Sequence, residues 1–265
     1  MEKYIFDILL MVIKMAYRTD MAVEDMDLDF KYDLELEIDG MIYRKLTVDE
    51  KISKKIKKGK GIYYNIDNIN YKDNDEGVID LLANSIVDCF KDINLDYGCD
   101  VLVCGLGNDF VTPDALGPLV INKIEVNRHL SKNDGYIISA ICPGVMGQTG
   151  MESSEIIKAI VDDFKPGLVI VVDALACSDP KRMCHSIQIS TAGINPGSGV
   201  GNKRKEISKG VLGVEVLAIG VPTVSDIDCF VLMEDDFFVT PKDIDLAMDM
   251  LSSILARGIN LALQD

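Results

Sequence analysis

The chain has 265 residues, 48% of them hydrophobic, and a formal net charge of −16 at pH 7. This length and composition indicate a globular protein with one large domain or two smaller ones. The strong negative charge argues against a general affinity for nucleic-acid backbones or anionic membranes.

The chain begins with an apolar leader. Its sequence "YIFDILLMVIKMAY" could be mistaken for a signal peptide, but Asp7 interrupts the apolar run and no clear positive excess precedes it. We therefore interpret it as an amphipathic or packed segment. The seven cysteines are odd in number and none form a CxxC pair, which favours reduced thiols in a cytoplasmic protein.

An alternating region follows, from residue 18 to about residue 75. In "FKYDLELEIDGMIYRKLTVDE", polar and apolar residues alternate around Asp39-Gly40, a dipeptide typical of a hairpin turn. The run from Lys51 to Lys60 predicts a solvated loop or a short charged helix. The next stretch, "GIYYNIDNI", predicts another strand.

From residue 74 onward, helical and strand patterns alternate. Helical spacing occurs in "GVIDLLANSIVDCFKDI", "ALGPLVINKIEVNRHL" and "MESSEIIKAIVDDF". Buried strands are predicted at "DVLVCGLG", "YIISAICPG", "GLVIVVDALA", "SIQIS" and "VEVLAIGVP". Thr240 is predicted to cap a last helix that has Pro241 at its first position. Together these predict an α/β fold of three layers, α/β/α, with a central, mostly parallel sheet plus an N-terminal β-hairpin region.

Two aspartates follow predicted buried strands, where sites form in open α/β sheets. Asp173 comes directly after "LVIVV". Asp114 stands in "GLGNDFVTPDALG", the loop that follows the strand predicted at "DVLVCGLG". Each also has a purely structural interpretation, as a turn or helix-capping residue. If these two carboxyl groups lie side by side, their pKa values separate, so that one is protonated and the other ionised near neutral pH. The ionised group could then activate water, and the protonated group could protonate a leaving amine.

Several other chemistries are poorly supported. The chain has two histidines and no HExxH motif, so a standard zinc hydrolase site is not indicated. It has no GxSxG motif. The glycine-rich "GSGVGNK" does not match a phosphate-binding loop, because Gly201 is followed by Asn202 rather than by lysine.

The chain resembles the germination proteases of spore-forming bacteria. The resemblance is carried by seven stretches in order: "RTDMAVE" (18–24), "GLGNDFVTPDALGP" (105–118), "VMGQTGMES" (145–153), "VVDALA" (171–176), "GINPGSGVGNKRKEIS" (193–208), "AIGVPTV" (218–224) and "FFVTPKDID" (237–245). The chain is more distantly similar to the hydrogenase maturation endopeptidases. It is shorter than the family between "GVPTV" and "FFVTPK".

The resemblance implies an endopeptidase without a cofactor that initiates degradation of small acid-soluble spore proteins during germination. It implies a homotetramer in the cytoplasm of the forespore or spore core, made as a self-processing zymogen. By motif, the catalytic aspartates are Asp114 and Asp173. The processed bond is Asp20–Met21, which makes residues 1–20 a propeptide-like leader and residues 21–265 a single α/β protease domain.

Groups that could stabilise the oxyanion or bind substrate lie in two loops; they are Gly147, Gln148, Thr149, Gly199, Lys203 and Arg204. Two alternatives stay open. One is a metal-assisted endopeptidase of the maturation type, with Asp114, Asp173 and His185 as ligands. The other, motivated by the shorter chain, is an inactive relative that binds spore proteins without cutting them.

Overall fold

The computed structural model describes residues 19–25, 31–73, 76–130, 135–201, 204–226 and 237–264. The predicted leader lies outside these residues up to position 18, and so does Lys203. None of the helices in the described ranges is both long and apolar enough to cross a membrane.

Strands and helices follow the predicted order closely. The strands are β1 (Leu34–Ile38), β2 (Met41–Val48), β3 (Gly61–Asp67), β4 (Asp100–Gly105), β5 (Ile137–Ile141), β6 (Leu168–Cys177), β7 (Ser186–Ser190), β8 (Glu215–Asp226) and β9 (Phe238–Val239). The helices are α1 (Glu50–Ile56), α2 (Glu76–Asp92), α3 (Leu116–Ile121), α4 (Met146–Thr149), α5 (Ser153–Phe164), α6 (Lys209–Leu212) and α7 (Ile244–Ala262). Short 3-10 turns, such as Ala22–Glu24 and Thr112–Asp114, lie between them.

The strands form one sheet in the order β1-β2-β3-β7-β8-β6-β4-β5, with β9 paired to β8. Strands β5, β4, β6 and β8 run parallel to their neighbours in this group. Strand β7 is antiparallel to β8. On the other side of β7, each of β3, β2 and β1 is antiparallel to the strand before it in the sheet order. The turn at Asp39-Gly40 joins β1 to β2 as predicted, and both residues have positive φ.

The α/β class and the three layers are confirmed, but the sheet is mixed rather than mostly parallel. The predicted hairpin region is not separate from the central sheet, because β3 pairs with β7 over five residues, from Tyr63 opposite Ser190 to Asp67 opposite Ser186. Pairing in this way removes the exposed edge that β7 would otherwise present. The antiparallel strands therefore extend the same sheet.

Apolar residues of the central strands alternate between two cores. In β6, Leu168, Ile170 and Val172 belong to the core packed under α2 and α7. Val169 and Val171 belong to the core on the opposite face, with residues of α5 and α6. This period of two is the strand geometry itself, and it explains why a continuous apolar run marks a strand covered on both faces.

Two sequence predictions about helices are wrong. The helix predicted over 115–130 ends at Ile121, because Asn127 instead donates to the Tyr136 carbonyl (2.9 Å) and accepts from the Ile138 amide (2.7 Å). Thr240 does not cap α7, whose N-cap is Asp243. The Thr240 hydroxyl donates to the Thr223 carbonyl (2.8 Å), so it ties β8 to the segment before α7.

Strand β4 and helix α3 approach so closely that glycine is required between them. A Cβ at Gly117 would lie 2.2 Å from the carbonyl oxygen and 2.4 Å from the nitrogen of Leu106. At Gly105 it would lie 2.4 Å from the Gly117 carbonyl oxygen. This contact fixes where the loop after β4 leaves the sheet.

Replacing Gly117 with Ala should therefore destabilise the protein. We expect the free energy of unfolding to fall by about 3 kcal/mol or more, since backbone atoms must move to admit the methyl group. Urea unfolding followed by circular dichroism measures it. Gly210→Ala is the control, because its Cβ would have its nearest neighbour at 3.7 Å. Equal loss in both variants would contradict the close approach.

Candidate active site

A cavity of about 380 Å³ opens at the carboxyl ends of the parallel strands. Its walls include three aspartates, an arginine and two apolar side chains: Asp20, Asp114, Asp173, Arg204, Val111 and Met146. The two predicted catalytic aspartates thus share one cavity with the residue before the predicted processed bond.

Asp173 lies inside β6 rather than at its end, since the strand continues to Cys177. Its side chain is buried, and one carboxylate oxygen accepts from the Ala174 amide at 3.0 Å. Burial, followed by the charges of Asp114 and Asp20, raises the pKa of Asp173 well above its usual value, and the Ala174 hydrogen bond opposes this only in part. Burial and the neighbouring negative charges therefore favour the protonated form of Asp173.

Asp114 ends the short turn Thr112–Asp114 and does not cap α3, whose N-cap is Ala115. Its carboxylate accepts from the Asn108 amide at 2.8 Å. Gly107 makes this loop possible: its φ is +109°, and a Cβ there would lie 1.9 Å from the Asp114 carbonyl oxygen. Burial raises the pKa of Asp114, while the Asn108 amide and the nearby Arg204 charge lower it.

The surroundings of the two carboxyl groups consequently differ in how strongly they favour the protonated form. Asp173 is the more strongly perturbed group, and the charge of Asp114 is one cause of its raised pKa. Asp114 retains an amide donor and a cation that favour its ionised form. An ionised carboxylate beside a protonated one can accept a proton and donate another.

Asp20 is held against the end of β6 by backbone and side-chain bonds. Its amide donates to the Ala176 carbonyl (2.9 Å), and its carboxylate accepts from the Ala176 amide (3.0 Å). The other carboxylate oxygen accepts from the Gly199 amide (2.7 Å) and from the Ser198 hydroxyl. Gly199 has no side chain to obstruct this contact, since a Cβ there would lie 2.4 Å from Asp20 Oδ2.

The residues after Asp20 also pack against the end of β6 and the residues that follow it. Met21 is fully buried, packed with Leu175 and Cys177. The Glu24 carboxylate accepts from the Ser178 amide (2.7 Å), the Ser178 hydroxyl (2.8 Å) and the Asp179 amide (3.0 Å). We call residues 19–24 the docked segment.

Gln188, in the middle of β7, contacts the docked segment on both sides of the Asp20–Met21 bond. Its side-chain nitrogen donates to the Asp20 carbonyl (3.3 Å), and its side-chain oxygen accepts from the Ala22 amide (2.7 Å). Sequence reasoning missed this residue. The only signal was a polar side chain at the centre of the apolar strand "SIQIS".

The predicted oxyanion candidates fall into two groups. Arg204 lines the cavity, whereas Gly199 reaches it only through Asp20, to which its amide donates. Gly147, Gln148 and Thr149 form the short helix α4 and are exposed beside the cavity. The Gln148 amide nitrogen donates to Asn108 (2.9 Å) and Asp109 (3.1 Å), so it links the loops after β4 and β5.

His185, the third ligand in the metal-assisted alternative, does not line the cavity that contains Asp114 and Asp173. His185 precedes β7, its Nδ1 is 2.8 Å from the Ile69 carbonyl oxygen, and its ring packs on Tyr71 at 5.4 Å between centroids. Within the described ranges, no group of three His, Cys, Asp or Glu side chains is placed to hold a metal ion. The residues present therefore do not fit the metal site that the alternative requires.

One solved structure resembles part of this chain. A NiFe hydrogenase maturation protease from Thermococcus kodakarensis aligns with a TM-score of 0.41 and 22% identity. The alignment covers 68% of this chain and 99% of that one.

Sequence comparisons are more informative. A sequence model of the germination proteases matches residues 12–236. The germination protease of Clostridium perfringens strain SM101 is 38% identical, with 93% of this chain and 95% of the relative aligned. That of Caldanaerobacter subterraneus subsp. tengcongensis is 38% identical over 96% of each chain. That of Bacillus licheniformis is 42% identical over 80% of this chain and 64% of its own.

The alignment with the Clostridium perfringens relative has 309 positions, more than the 265 residues of this chain, so the relative contains residues that this chain lacks. The matched region nevertheless includes every stretch from "RTDMAVE" to "AIGVPTV", and with it Asp114, Asp173 and the docked segment. On this extent of similarity the chain belongs to the germination protease family and is an endopeptidase.

Proposed function

We propose that this chain is a zymogen that cuts its own Asp20–Met21 bond with Asp114 and Asp173, and then initiates degradation of small acid-soluble spore proteins. One observation carries the proposal: Asp20 lines the same cavity as the two aspartates. Its charge also contributes to the raised pKa of Asp173, which requires the two side chains to be close.

The different surroundings of the two aspartates support a water-activating mechanism, with Asp114 as the ionised partner and Asp173 as the protonated one. The ionised Asp114 takes a proton from a water molecule as the water oxygen bonds to the Asp20 carbonyl carbon. The proton of Asp173 goes to the Met21 nitrogen as the carbon–nitrogen bond breaks. The products are a carboxyl group on Asp20 and an amine on Met21, and the aspartate pair still holds one proton.

The donors around Asp20 support a preference for an acidic residue before the cleaved bond. Two backbone amides and a hydroxyl surround its carboxylate, and no compensating cation is needed for such a site. Once the leader departs, these donors would be available to an aspartate or glutamate of a substrate protein. The Glu24 contacts would select a second acidic residue four positions further on.

The remaining features of the proposal come from the family. The relatives named above are germination proteases, which supports spore proteins as substrates. We extend this to the homotetramer, to the cytoplasm of the forespore or spore core, and to the division into leader 1–20 and protease domain 21–265.

Mass spectrometry of the purified chain, incubated at mildly acidic and at neutral pH, tests the proposal. We expect a product that begins at Met21. Asp20→Asn should slow its formation by about 10- to 100-fold, since hydrogen bonds to a charged group contribute about 1.5–3 kcal/mol.

Asp163→Asn, an exposed change on α5, is the control and should process at the parent rate. An intact parent chain at every pH, with spore proteins bound but uncut, would contradict the proposal. It would favour the inactive binding relative.

A further inference from the structure

We infer that Gln188 stabilises the oxyanion when the Asp20–Met21 bond is cut, an inference that rests on the proposed function. The side-chain nitrogen of Gln188 is the donor that already faces the Asp20 carbonyl oxygen, at 3.3 Å. That oxygen gains negative charge as water adds to the carbonyl carbon. A donor aimed at it beforehand lowers the energy of the transition state.

The residue before the scissile bond lines two cavities, one with the water-activating groups and one with the donor. Asp20 lines the cavity that contains Asp114 and Asp173. It also lines a second cavity, of about 580 Å³, that contains Gln188 and Lys58. Water can therefore attack from the first cavity while the carbonyl oxygen points to the second.

The remaining contacts keep the carbonyl directed at Gln188. Lys58 donates to the carbonyl of Thr19 (2.5 Å), and Ala22 donates to the side-chain oxygen of Gln188 (2.7 Å). The Gln188 amide is thus oriented by the bond it accepts, which leaves its nitrogen toward Asp20. A bond of 3.3 Å in the ground state has room to shorten as charge develops, which is the differential binding that accelerates a reaction.

The backbone around Gln188 leaves space for this arrangement. Gln188 is opposite Asn65 of β3 and Gly220 of β8. A Cβ at Gly220 would lie 2.6 Å from Leu175, the residue against which Met21 packs. The absence of a side chain there lets Leu175 and the docked segment lie beside Gln188.

Two substitutions separate the donor from the acceptor function of Gln188. Gln188→Glu keeps an acceptor for the Ala22 amide but replaces the donor, whereas Gln188→Leu removes both. We expect each to slow self-processing at neutral pH by about 10²- to 10³-fold, measured by mass spectrometry. In Gln188→Glu, the rate relative to the parent should recover as the pH falls, because the protonated carboxyl regains a donor. A purely structural role would not give this recovery.

Asn65→Leu is the matched control. Asn65 is buried on the same face of the next strand, and neither of its amide atoms has a hydrogen-bond partner among the described residues. It should process within about 3-fold of the parent, since replacing an unpaired buried amide by an apolar group of similar size is near neutral.

The outcomes are distinct. A parent chain that is cut at Met21, with Gln188→Glu cut equally fast at neutral pH, overturns the inference alone. A parent chain that is never cut overturns the proposed function and this inference with it. If Gln188→Leu fails to give a cooperative thermal unfolding transition, the pH dependence of Gln188→Glu decides.

Discussion

Asp114→Asn and Asp173→Asn should each lower both self-processing and peptide cleavage by roughly 10³-fold or more, the usual effect of removing one member of a catalytic unit. Asp114→Asn leaves no carboxylate to take the proton from water. Asp173→Asn leaves no acid to protonate the Met21 nitrogen. Cleavage of a synthetic peptide with the sequence of residues 16–26, by variants produced to begin at Met21 so that the Asp20 site is free, measures the rate without requiring the leader to be cut.

The same pair predicts how the rate depends on pH. Activity requires Asp114 ionised and Asp173 protonated, so the rate should fall in acid as Asp114 gains a proton and in alkali as Asp173 loses one. Burial raises the pKa of both groups, which shifts the active range above that of ordinary carboxyl pairs. A rate that is flat across this range would contradict the assignment.

Asp173→Asn should raise the thermal stability of the protein although it lowers its activity. The folded-state pKa of Asp173 is raised, so its proton contributes stability that is fully present below the usual carboxyl pKa and is lost as the pH rises through the raised value. Asp173→Asn cannot ionise. Its thermal midpoint should exceed that of the parent increasingly as pH rises, and a midpoint below the parent's at neutral pH would contradict this.

Gly199→Ala should block self-processing through the docked segment. The added methyl group would lie 2.4 Å from Asp20 Oδ2 and 2.7 Å from the Cβ of Ala176, so Asp20 must leave its present position. We expect a loss of about 10²-fold in rate, the cost of displacing a reacting bond by about 1 Å. The time course of the Met21 product by mass spectrometry measures it.

The control for this prediction is Gly210→Ala, where the nearest neighbour of the methyl group would be Ser208 Oγ at 3.7 Å, an ordinary contact. It should process at the parent rate. Because Gly199 also belongs to the carboxylate site, cleavage of the 16–26 peptide should slow in Gly199→Ala as well. Normal cleavage of the peptide with blocked self-processing would mean that substrates bind differently from the leader.

The position of Asp173 and Asp114 in the cavity was predictable from the sequence. Apolar runs mark buried strands, and a polar residue that follows such a run is expected near the strand end, where sites form in α/β sheets. The Asp20 site was not predictable, because two of its donors are backbone amides, of Ala176 and Gly199, which every sequence contains. Gln188 was missed because it meets Asp20 and Ala22 only through the order of strands in the sheet.

The capping prediction at Thr240 failed for a related reason. Local pattern favoured Thr240 as a cap, yet its hydroxyl is bonded to Thr223, on a strand that precedes it in the chain. A sheet whose order joins β3 to β7 was likewise not visible in local periodicity, since pairing partners 119 or more residues apart leave no local signal. Tertiary hydrogen bonds decided both cases.

The docked segment bears on the kinetic order of the proposed self-processing. The contacts described for it, from the Ala176 carbonyl to the Ser178 hydroxyl, lie within one polypeptide. The bond to be cut is thus presented to the aspartates at an effective molarity that dilution does not alter. The proposed self-processing would be unimolecular within one chain, so its half-time should not change when the protein is diluted. In this proposal, only the later digestion of other proteins would depend on how much enzyme is present.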